Sequence, residues 1–134
     1  RTRKDAEMSG FSYKPLQLTW ANKGKRLITG GTNELVLWPF DKKGPEGRTA
    51  EIRSFHSQAI CALSVGANGQ RIASGCRAGK VAIWKSTQET EPATWTSLED
   101  RVEQLGWSSG KNPKILAATS RRGLLRLFDV SVVI

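Results

Sequence analysis

The side chains of this sequence best able to do chemistry are one histidine, two cysteines and a short acidic cluster. His56 is the only histidine in 134 residues. A lone imidazole can serve as a general base or a pH sensor. Here no Ser or Cys nucleophile stands in a catalytic arrangement with it, so His56 reads as a structural residue ahead of a strand. Cys61 and Cys76 have no CxxC spacing and no further Cys to complete a four-ligand zinc set. Arg1-Thr2-Arg3-Lys4-Asp5 lacks the apolar stretch of a signal peptide, and both are expected to be reduced, partly buried thiols. Glu99, Asp100 and Glu103 surround Arg101 and read as a solvated loop rather than an acid–base pair. The glycines at 30–31 and 66–69 lack the GxxxxGK[ST] spacing of a phosphate loop. The expectation is therefore a non-enzymatic chain with no cofactor and no metal.

The elements that would position these residues repeat along the chain. Residues 18–31, 63–76 and 105–120 align, and each runs on into an alternating apolar stretch that ends on an aromatic: Trp38, Trp84 and Phe128. The aromatics are 46 and then 44 residues apart, a period that belongs to propeller or solenoid arrays. Turn clusters such as Asn22-Lys23-Gly24-Lys25 and Ala67-Asn68-Gly69-Gln70 divide each unit into short runs rich in Val, Ile, Leu and Trp. The more polar segments 48–55 and 92–98 have the character of outer edge strands, and 10–14 is a third such piece. Each unit thus reads as an antiparallel sheet of four strands.

Arg71-Ile72-Ala73-Ser74-Gly75 followed by Lys80-Val81-Ala82-Ile83-Trp84, with Phe55-His56-Ser57 before the unit and Phe128-Asp129 closing the next, resembles the WD-repeat β-propeller. The resemblance covers about residues 16 to 130. It implies an all-β chain of three propeller blades, either part of a larger propeller or half of a six-bladed ring. The expected organisation is a basic N-terminal segment (1–15), then blades at 16–55, 56–98 and 99–134, the last without its own outer strand. It further implies that Trp20, Thr29, Trp38, His56, Ser74, Trp84, Trp107 and Phe128 build the blade core. The family's polar network within a blade is incomplete here. Ala78 stands where a turn aspartate belongs, and Ala118, Arg122 and Phe128 leave the third unit largely without one. Trp95 lies on an outer segment and is a candidate surface contact.

Three blades leave two end faces of roughly 400 Å² each, worth on the order of 10 kcal/mol when covered. Further blades of a longer parent chain, or a second copy, are expected to cover them. The chain carries 21 Lys and Arg against 12 Asp and Glu, a net charge of +9. The resemblance puts Arg77, Lys80, Arg121 and Arg122 on one ring face, and Lys23, Lys25, Arg26, Lys42, Lys43, Arg71, Lys111 and Lys114 on the other. Arginine pairs well with carboxylate or phosphate. The expected function is a protein–protein interaction scaffold that presents Arg77, Lys80, Arg121 and Arg122 to an acidic partner. The alternative is a propeller that binds nucleic-acid phosphates. No apolar run approaches the roughly 18 residues of a membrane span. The expected location is intracellular, cytoplasmic or nuclear.

Overall fold

The computed structural model describes residues 7, 16–42, 44–45, 47–110 and 113–131. The segment 10–14, Lys43 and Lys111 lie outside them. Among the described residues, eleven strands form three antiparallel sheets. The first holds β1 (Gln17–Ala21), β2 (Arg26–Gly30), β3 (Glu34–Pro39) and β4 (Glu51–Ser54). The second holds β5 (Ile60–Val65), β6 (Ile72–Cys76), β7 (Lys80–Trp84) and β8 (Thr94–Ser97). The third holds β9 (Val102–Trp107), β10 (Ile115–Ser120) and β11 (Leu125–Asp129). Strands pair with their chain neighbours throughout, and β1, β5 and β9 lie side by side.

Strand alternation gives every sheet two faces. In the first sheet, Leu18, Thr29, Val36 and Ile52 are in register across the front face, beside Trp20, Leu27 and Trp38. Ile28, Leu35 and Leu37 lie on the rear. That rear face packs on Ile60, Ile72, Ala82 and Trp84 of the second sheet. The rear of the second sheet, with Ala73, Val81 and Ile83, packs in turn on Leu105, Trp107, Leu116, Ala118 and Phe128. Trp107 also donates its Nε1–H to the Ser64 carbonyl at 3.2 Å, tying the third sheet to the second. The rule is rear on front, twice.

The rule also explains a departure at Trp20. This residue was expected in the blade core, yet it is 49% exposed, with its ring edge-on to Phe40 at 5.1 Å. Its neighbour Leu18 is 68% exposed. Both belong to the front face of the first sheet, where they stand exposed while Leu27 and Thr29 on the same face are buried. The rear face of the third sheet is likewise bare: Leu125 is 62% and Leu127 is 64% exposed.

Close approach of the second and third sheets depends on a small residue. A Cβ added at Gly75 would lie 2.6 Å from Val102 Cγ1, so a side chain there would push β6 away from β9. At the centre of the packing sits Trp84, 1% exposed. Trp84→Ala is expected to cost about 3–5 kcal/mol by emptying its site. Urea unfolding checks this; an unchanged midpoint would contradict the face assignment.

Candidate interaction surface

The turns at one end of the sheets are joined in series by backbone hydrogen bonds. Ile60 N–H donates to the Thr32 carbonyl at 2.8 Å, and Arg77 N–H to the Ala59 carbonyl at 3.0 Å. Leu98 N–H then donates to Gly79, and Arg121 N–H to Arg101, both at 2.8 Å. Arg77 and Arg121 therefore hold equivalent positions, each just past the second strand of its sheet. Gly79 has φ +92°, and a Cβ on it would meet both Asp100 N and O at 2.6 Å. Only glycine fits this junction between the β6–β7 turn and the loop into β9.

Most arginines in the described structure are engaged. Arg26 and Arg48 pair with Asp41, Arg53 with Glu51, and Arg101 with Glu103. Arg53 is buried and also donates to the carbonyls of Glu89 and Thr87, which straps the β7–β8 loop to β4. Arg71 donates to the Pro113 carbonyl and Arg126 to the Ser97 carbonyl. Arg77, Arg121 and Arg122 are exposed, and among the described residues their guanidinium groups have no ion pair and no hydrogen bond. The backbone of Arg122 is held by Asp100 Oδ2 at 2.7 Å. Partial burial works to raise the Asp100 pKa. The N–H groups of Arg122 and Arg101 and the Arg122 charge outweigh it, and Asp100 titrates below the usual carboxylate range.

Lys80 differs from its expected place among the free loop charges. It begins β7, and its Nζ sits 4.9 Å from the Trp95 ring centre and 5.7 Å from that of Phe55. The two rings lie 5.9 Å apart. Aromatic faces hold this ammonium by cation–π attraction, which leaves the three arginines as the cations of this end whose side chains make no ion pair or hydrogen bond among the described residues. The pairing of β7 with β8 brings Trp95 to this lysine and the packing of the first sheet on the second brings Phe55, so sequence spacing gave no sign of the cluster.

The opposite end is also positive, with Lys23, Lys25, Lys42 and Lys114 exposed and Arg26 and Arg71 tied as described. Among the described residues no group of three or more His, Cys, Asp or Glu is arranged to hold a metal ion. No helix there is long and apolar enough to cross a membrane. Cys61 and Cys76 are buried free thiols; Cys61 donates its Sγ–H to the Val102 carbonyl, and burial pushes its pKa up.

The arrangement has many structural counterparts. The β-propeller domain of Myceliophteria thermophila Cps50 (Swd1) superposes with a TM-score of 0.76 at 22% identity, over 92% of this chain and 38% of that one. U3-55K gives 0.80 at 17% identity, over 93% and 38%. The RRP9 WD40 repeats give 0.79 at 17%, over 93% and 38%. The fold is that of a WD40 β-propeller. In sequence, the chain is 30% identical over 86 residues to the chromatin assembly factor 1 subunit FAS2 homolog of Oryza sativa subsp. japonica. That match spans 60% of this chain and 17% of the rice protein. No family model matches.

Within this WD40-like fold, the described residues keep the intra-blade polar network mainly in the second blade. His56 Nε2 lies 2.8 Å from Ser74 Oγ, and Trp84 Nε1–H donates to the same oxygen at 3.1 Å. His56 Nδ1 is buried without a partner, the turn residue nearby being Ala78. In the first blade, Trp38 Nε1–H donates to Thr29 Oγ1 at 3.1 Å. In the third, Ala118 and Phe128 have no polar side-chain atom to contribute, and apolar packing takes over.

Burial, and then the Lys80 charge, lower the His56 pKa from 6.5 to about 4. Between those values the unfolded chain binds more protons than the folded one, so stability rises with pH. This contribution is complete above about pH 6.5 and falls away towards pH 4, to the extent of roughly 3 kcal/mol. Urea midpoints at pH 7 and 4.5 should therefore differ more for wild type than for His56→Gln. Equal differences would contradict a neutral, buried His56.

Proposed function

We propose that this chain is a non-enzymatic interaction scaffold, a three-blade part of a larger WD40 propeller. Its blades are assigned to 16–55, 56–98 and 99–134, and further blades of the parent chain cover the two bare sheet faces. The partner is a protein with an acidic segment, met by Arg77, Arg121 and Arg122 on the shared turn face. The observation that carries this reading is the unpaired state of these three guanidinium groups, in a structure whose other described arginines are engaged. Strands and inter-turn hydrogen bonds hold their backbone, so little ordering is needed when a partner binds. The reading places the chain inside the cell, in the cytoplasm or nucleus, consistent with buried free thiols.

A second reading, binding to nucleic-acid phosphate, is favoured by the net charge of +9 and by cations at both ends of the blades. Salt separates the two. Phosphate binding would weaken with a log–log slope of about −0.9 per contacted duplex phosphate. A short acidic peptide would show a shallower dependence.

Arg121→Ala combined with Arg122→Ala is expected to leave stability within about 0.5 kcal/mol of wild type. The same variant should weaken binding of a fluorescein-labelled polyglutamate by about tenfold. Anisotropy titrations with matched urea melts make the comparison. Unchanged affinity would refute the role given to this face.

A further inference from the structure

We propose that the cleft between the β2–β3 turn and the loop from β4 into β5 anchors the acidic peptide segment, with a peptide carboxylate on Arg77. This rests on the interaction-scaffold reading and names where the partner seats. The cleft encloses about 650 Å³, within the range of ligand sites, about 300–1,000 Å³. Among the described residues, Arg77 is its only ionisable lining residue and no acidic side chain lines it. Asn33, Ser57 and Gln58 also line it. Their side chains make no hydrogen bond among the described residues, so amide and hydroxyl groups are available to a peptide backbone.

The walls are fixed. The Ile60-to-Thr32 and Arg77-to-Ala59 hydrogen bonds span the cleft's two sides, and the Thr32 hydroxyl is occupied by Glu34 N–H at 3.1 Å. Leu16, 41% exposed, adds an apolar foothold at one end. A rigid, polar cleft with Arg77 at its wall suits an extended peptide with an anchoring Asp or Glu. Among the described residues no aromatic side chain lines it to stack a base, which favours peptide over single-stranded nucleic acid.

The test uses fluorescein-labelled hexaglutamate, with hexaglutamine as its uncharged control. Ser57 and Gln58 are exposed, so Ser57→Trp and Gln58→Trp obstruct the cleft with all three arginines in place. Each is expected to weaken hexaglutamate binding by about tenfold or more, as is Arg77→Gln. Near-ultraviolet circular dichroism verifies folding, and either tryptophan variant that folds suffices. If the tryptophan variants bind within about twofold of wild type while Arg121→Ala with Arg122→Ala weakens binding, the cleft is excluded and the scaffold reading stands. If wild type binds hexaglutamate no better than hexaglutamine, both fall. A 20-base-pair DNA duplex that binds more tightly than hexaglutamate, and is indifferent to Ser57→Trp, would also overturn the peptide assignment.

Discussion

The contact on which this structure depends is the packing of one sheet's rear face on the next sheet's front face. Each sheet carries apolar side chains on both sides, so its stability grows with each face that a neighbour covers. The pairing is asymmetric in composition. The front faces supply Trp84, Trp107 and Phe128, and the rear faces answer with Ile28, Leu35, Leu37, Ala73, Val81 and Ile83. Large rings against branched and small side chains interdigitate where two rows of rings would not. Gly75 permits the closest approach, against Val102.

Function follows from that packing through the turns. Once the sheets are stacked, the second-to-third-strand turns of successive blades fall at one end and join the entering loops through hydrogen bonds. The arginines of those turns project from backbone held by these hydrogen bonds, and their guanidinium groups make no ion pair among the described residues. Elsewhere the chain neutralises its arginines internally, even burying Arg53 against two carbonyls and Glu51. Cations at the turn end are left to solvent or to a partner. Lys80 is the exception at that end, because its strand position aims it at two rings rather than outward.

Much of the fold was legible in the sequence because a repeat states its own register. The aromatics Trp38, Trp84 and Phe128 mark equivalent strands, and His56 with Ser74 and Trp84 is joined as the resemblance implied. Trp20 was less legible. Its strand position is repeat-equivalent to a core residue, but burial also depends on whether a neighbouring sheet is present, which local sequence does not encode. The Phe55–Lys80–Trp95 cluster and the cleft at Arg77 join residues from different strands and loops, through cross-strand register and turn geometry rather than linear spacing.

Bare faces carrying Leu18 and Trp20 at one end and Leu125 and Leu127 at the other make a sharp demand on the isolated 134-residue chain. Sedimentation velocity over a range of concentrations tests it directly. The account predicts self-association that grows with concentration, with Trp20 emission shifting to the blue as its face is covered. A compact, stable monomer at every concentration, with Trp20 still solvated, would contradict it.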